Sequence, residues 1–138
     1  MADWTAPKTD WVATDYFNVE DYTRIVGNIE YLKDLANELW GDFDITTMED
    51  KDYTALFYAS EMNAIETNLD TINSNSYGFD IGDSTTYTSN GATPLYSEFN
   101  RIESASLKIY KTLVAQKNAR RHLAFTLGGA SYFDTVRA

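Results

Sequence analysis

Apolar residues recur along three stretches of this chain at alternating steps of three and four, the spacing of one buried helix face. In the first stretch the stripe is Tyr22, Ile25, Ile29, Leu32, Ala36 and Leu39. Asn18 stands ready to cap it, Glu20 and Asp21 fill the first turn where the helix dipole favours anions, and Gly41 supplies a stop. The pattern predicts a helix over 18–40. In the second stretch Tyr58, Met62, Ile65, Leu69 and Ile72 repeat the spacing. A start near Thr47, with Asp50 as its capping partner, and a start near Tyr58 both fit, and the earlier one is preferred, giving 47–73. The third stripe, Leu95, Phe99, Ile102, Ser106, Ile109 and Leu113, follows Thr93 as cap and Pro94 at the first helical position, and predicts a helix over 94–121.

What lies outside the stripes is irregular. Residues 73–93 are rich in Ser, Thr, Asn and Gly, and about 20 residues is long for a connection inside a compact domain. Alternation at Tyr77, Phe79, Ile81 and Tyr87, with Asn90-Gly91 as a turn, suggests a short β-hairpin or a packed excursion. Residues 1–17 form an arm with Trp4, Trp11, Tyr16 and Phe17 and no period, and 123–138 form a tail in which Leu123–Gly129 reads as a turn or short strand. The expected fold is mainly α: a small three-helix bundle with a long polar loop and extended aromatic arms at both termini.

Composition narrows the classes. At 138 residues the chain has room for one core, and 43% hydrophobic with 14% aromatic content is enough to pack it. No apolar run reaches the roughly 18 residues of a membrane span, and the start lacks a basic signal region, so neither a membrane nor a secretory role is expected. The absence of cysteine excludes disulfides, thiolate zinc sites and cysteine catalysis. A net charge of −10 argues against nucleic acid as a partner. That charge is polarised: residues 1–94 carry 18 acidic and 4 basic side chains, and residues 95–138 carry 3 and 7. Either the two regions neutralise each other within one molecule, or the chain associates head to tail or docks on a charged partner.

Candidate chemistry is sparse. His122, the single histidine, lies among Arg120, Arg121 and Leu123 without a carboxylate partner. Asp42, Asp44, Thr46, Met48 and Asp50 have the alternation of a calcium loop, yet the glycine and glutamate positions are Thr47 and Tyr53. Gly128-Gly129 lacks the lysine of a phosphate loop. No catalytic residue, metal site or cofactor is expected. The residues singled out are for contacts with partners: Trp4 and Trp11 in the arm, Arg24 and Arg101 between helices, Lys117, Arg120 and Arg121 at the basic end, and Tyr132 and Phe133 in the tail. The two indoles need cover, from the chain's own helices or from a neighbouring subunit. The basic stretch would then meet the acidic surface around Glu30, Asp34, Glu38, Asp42 and Asp44 of another copy.

The helix openings repeat. Asp21-Tyr-Thr-Arg-Ile25, Glu61-Met-Asn-Ala-Ile65 and Glu98-Phe-Asn-Arg-Ile102 share an acid, a large apolar residue, Asn or Thr, Arg or Ala, then Ile. The opening Trp4…Pro7-Lys-Thr-Asp-Trp11, with Asp15-Tyr-Phe-Asn18, Asp21-Tyr-Thr-Arg-Ile25 and Asn28-Ile29, resembles the N-terminal module of tail and baseplate-associated structural proteins from phages and prophages of Firmicutes. Asn100-Arg-Ile-Glu103 is similar to the helix start of the same family. The resemblance covers about 35 N-terminal residues, with 30 more loosely. It implies a virion structural protein, a tail, baseplate or collar adaptor subunit assembled in the bacterial cytoplasm, whose partners are other tail or neck proteins and copies of itself in a homo-oligomer. Family members often continue into fibre or receptor-binding regions, which favours an adaptor role for this shorter chain. An alternative from the residues themselves is a soluble acidic helical module that binds a carbohydrate or small ligand on its aromatic side chains.

Overall fold

In the computed structural model, residues 3–48, 59–88 and 94–130 are described, with side chains to residue 121. Three helices follow one another: α1 (Val19–Trp40), α2 (Ala59–Ser74) and α3 (Tyr96–Ala130). Asn18 and Asp21 close a full capping box at the start of α1, the Asn18 side chain accepting from the Asp21 amide and the Asp21 carboxylate from the Asn18 amide. Gly41, at φ 138°, ends the helix in a conformation that L side chains rarely adopt. At α3 the Leu95 amide donates to the Glu98 carboxylate at 2.9 Å, so Pro94 precedes the first turn rather than entering it. Thr93 lies outside the described residues.

All three helices point the same way. Arg24 meets Glu103, Tyr31 meets Tyr110 and Glu38 meets Lys117, each pair 79 residues apart, so α1 and α3 run in parallel and in register. Contacts of α2 and the turn that follows it with α3 also climb together, from Glu66 with Arg101 to Tyr77 with Gln116. Residues equivalent in the sequence repeat therefore stand at one level. Ile25, Ile65 and Ile102 form one layer of the core, and Leu32, Ile72 and Ile109 another, all almost completely buried. Ile29, Leu69 and Ser106 lie between them.

A parallel arrangement explains the long connections. A 22-residue helix rises about 33 Å, and the chain must travel back that distance before the next helix can start beside it. Extended backbone covers it in about ten residues. Three extended segments make such a course, each lying in one groove: residues 3–11 between α1 and α3, residues 43–48 between α1 and α2, and residues 79–88 between α2 and α3.

Several expectations change accordingly. Thr47 and Met48 are not helical, so the start near Thr47 gives way. Residues 49–58, with Asp50 and Tyr58, lie outside the described residues, and α2 is described from Ala59. No strand occurs among the described residues, and 79–88 is a single extended course rather than half of a hairpin. It alternates on either side of an exposed break at Gly82, Asp83 and Ser84, with Phe79, Ile81, Thr85 and Tyr87 turned inward and Asp80, Thr86 and Thr88 exposed. Asn90-Gly91 lies outside the described residues. Leu123–Gly129 is neither turn nor strand, because α3 continues through it to Ala130. The stripes are buried as expected except Leu95, which at 61% exposure belongs to the cap, and Tyr58, which lies outside the described residues.

Candidate functional site

Five helix asparagines hold the extended segments. Each uses its amide oxygen and amide nitrogen to pair with the N–H and C=O of one residue: Asn28 with Thr5, Asn68 with Thr46, Asn63 with Tyr87, Asn73 with Phe79, and Asn100 with Trp11, at 2.7–2.9 Å. An extended segment lying on helices has no neighbouring strand to satisfy its backbone, and the carboxamide supplies one peptide's worth of pairing. Asn63 and Asn100 stand two residues after the repeat acids Glu61 and Glu98. Asn28 and Asn68 stand seven after Asp21 and Glu61. Four of the five clamps thus follow the repeat, and Asn73, near the end of α2, stands outside it.

One residue beyond Ile65 of α2 and Ile102 of α3 is a buried glutamate. Glu103, 1% exposed, receives the indole N–H of Trp11 at 2.6 Å, the Arg24 guanidinium through Nε at 2.7 Å and Nη2 at 2.8 Å, and the amide of Lys8 at 3.1 Å. Arg24 also donates through Nη1 to Asp21 at 2.9 Å. The hydrogen bond to Glu103 raises the Arg24 pKa further and keeps the guanidinium charged. Glu66, 2% exposed, repeats the arrangement with the hydroxyl of Tyr87 at 3.0 Å, the guanidinium of Arg101 and the amide of Thr85. Burial pushes the Tyr87 phenol up, and the adjacent Glu66 carboxylate adds to the shift, so the phenol stays a donor.

The parallel is complete at the level of roles. An asparagine clamps an aromatic residue by its backbone, the same aromatic donates from its ring to a glutamate three residues after that asparagine, and an arginine from the next helix closes the site. Around the third corner the arginine position of α2 is Ala64 and the glutamate position of α1 is Val26. Both charges are missing together, which leaves neither buried without its partner.

The residues expected to bind partners are placed as follows. The arm folds back on its own chain, so the anchoring of Trp11 in another subunit gives way: the ring is 3% exposed and packs on Phe17 and Phe99. Trp4 stacks on Tyr110 with centroids 4.0 Å apart and tilts against Tyr31 at 6.0 Å. Arg24 and Arg101 lie between helices on carboxylates of this chain rather than on a partner. Lys117 pairs with Glu38 at 2.9 Å and Arg120 donates to the Leu39 carbonyl at 2.7 Å, so part of the basic stretch meets the acidic helix of its own molecule. Arg121 is exposed. Tyr132 and Phe133 lie outside the described residues, as does the side chain of His122. Among the described residues no group of three or more His, Cys, Asp or Glu side chains is placed to hold a metal ion.

The buried glutamates and the clamping asparagines were not singled out from sequence. Their signal was the recurrence of Asn-x-Ile-Glu at 63–66 and 100–103, an acid adjoining a core isoleucine. Comparison of the chain with protein-family models, with curated proteins and with solved structures found no match.

Proposed function

We propose that this chain is a structural subunit, an adaptor of a phage tail or tail-like particle that joins neighbouring components through non-covalent contacts. The observation that carries the structural reading is the use to which the buried charge is put. Glu103, Glu66, Arg24 and Arg101 are engaged in pinning extended segments and helices to one another, which rigidifies a module rather than presenting a reactive group. The length of α3 agrees with it. The helix passes the level of the α1 terminus near residue 119 and continues to Ala130, about 16 Å farther, as a connecting element beyond the bundle. The phage assignment within that class rests on the resemblance of residues 4–29 and 100–103.

Carbohydrate binding draws less support, because aromatic faces that would stack on a sugar stack on each other: Trp4 on Tyr110, and Phe17 on Phe99 at 4.5 Å. Genomic context tests the proposal. Tail sheath, tape-measure or lysis genes beside the coding sequence support it, as does recovery of the chain with purified particles. A metabolic operon and absence from such particles contradict it.

A further inference from the structure

Six large hydrophobic side chains are exposed among the described residues, and all six lie at the two ends of the bundle. Val12, Tyr16, Leu95 and Tyr96 surround the end where the helices begin; Tyr16 is 90% exposed. Trp40 and Tyr77 stand at the opposite end, where α3 emerges. They meet edge to face at 5.2 Å and both donate to the Gln116 side chain of α3, so they form a fixed aromatic collar on the emerging helix. Apolar residues scattered singly need no explanation, whereas confinement to two ends marks contact surfaces.

The ends also differ in charge. Exposed Asp10, Asp15 and Glu20 flank the first, with Lys8 paired to Asp10 and Asp15. At the second, exposed Arg120 and Arg121 outnumber exposed Asp42, the adjoining Glu38 being paired with Lys117. Because the helices are parallel, these ends are chemically distinct, and neither is complementary to itself. We propose that copies of this chain associate head to tail, the collar of Trp40 and Tyr77 with Arg120 and Arg121 docking on the Tyr16, Leu95 and Tyr96 end of the next copy. The inference deepens the structural-subunit reading and rests on it. Such a contact is heterologous: each copy offers both halves, and growth continues until a different partner or a closed ring ends it.

Sedimentation velocity on the full chain tests this with two end variants. Wild type is expected to pass from monomer to species larger than dimer as concentration rises. Tyr16→Lys, at an exposed site, and Trp40→Glu each place a like charge against the opposing end, and each alone should lose every assembled species. Mixed in equal amounts they should recover association, because each retains the intact end that the other lacks. Arg121→Glu, at an exposed position, repeats the test of the second end should Trp40→Glu reduce helix content. A wild-type chain that stays monomeric throughout overturns the proposal. Dimerisation of either variant alone also overturns it, since that requires a symmetric contact. A monomeric chain that still copurifies with particles would remove head-to-tail association while leaving the structural-subunit reading in place.

Discussion

The sites at Glu103 and Glu66 are built from the same parts and are unequally finished. Both oxygens of Glu103 are engaged, Oε1 by the Lys8 amide and Arg24 Nε, and Oε2 by Trp11 and Arg24 Nη2. At Glu66 the donors converge on Oε2, while Oε1 and the Nη1 of Arg101 are buried without a hydrogen-bond partner among the described residues. The repeat suggests why. Asp21 caps Asn18 with one oxygen and occupies Arg24 Nη1 with the other, whereas the equivalent acid in α3, Glu98, caps Leu95 and leaves Arg101 Nη1 without a partner among the described residues. The arm in the α1–α3 groove is therefore held by a saturated site, and the segment before α3 by an unsaturated one. A repeated motif fixes which groups meet, and the neighbouring acid decides how completely they are satisfied.

Removing the arm is expected to have the largest effect. Deleting residues 1–15 strips Glu103 of the Trp11 and Lys8 donors and uncovers Phe99, and should cost about 5 kcal/mol or more, enough to unfold a marginal domain. Loss of the helical circular dichroism signal checks it; a folded deletion variant would mean the arm contributes little to the core.

Single substitutions then separate the two sites. Glu103→Leu leaves a buried guanidinium and an indole N–H without their acceptor, and should cost about 3–5 kcal/mol in urea unfolding. Glu66→Leu should cost less, about 1–3 kcal/mol, because it also removes a buried oxygen that has no partner. Equal losses would erase the distinction drawn from the unpaired atoms.

The smallest effect is a pH dependence confined to the second site. Burial favours the neutral form of Tyr87, raising its pKa in the folded chain above the ordinary value near 10. Its contribution is complete below that ordinary value and is lost as pH rises through the folded pKa. Stability of the wild type should therefore fall more steeply above pH 10 than that of Tyr87→Phe. Parallel curves would mean that the phenol ionises as freely in the folded chain as in the unfolded one.

The periodic parts of this fold were legible in the sequence, because burial of a helix face imposes its spacing on Ile25, Ile29, Ile65, Leu69, Ile102 and Ile109. Helix direction was not, since a stripe of apolar residues is the same read up or down. The long connections carried that information, and their length is the distance a parallel helix obliges the chain to retrace. The arm looked unpatterned because its backbone pairs with Asn28 and Asn100, residues that lie far away in sequence. Glu103 was legible only as a recurring letter: its burial depends on Arg24, 79 residues earlier, and on Trp11, 92 earlier.

The parallel direction of α2 underlies the repeat, the three grooves and the distinct ends, and it is open to direct measurement. The chain has no cysteine, so paired spin labels can be introduced without interference. Glu20 and Ser60 occupy equivalent levels of α1 and α2, whereas Ser74 lies 14 residues farther along α2, about 21 Å along the axis. Electron–electron distance measurements should give a short separation for Glu20→Cys with Ser60→Cys and a clearly longer one for Glu20→Cys with Ser74→Cys. The reverse order, with Ser74 nearer to Glu20, would mean that α2 runs antiparallel and would contradict the parallel bundle.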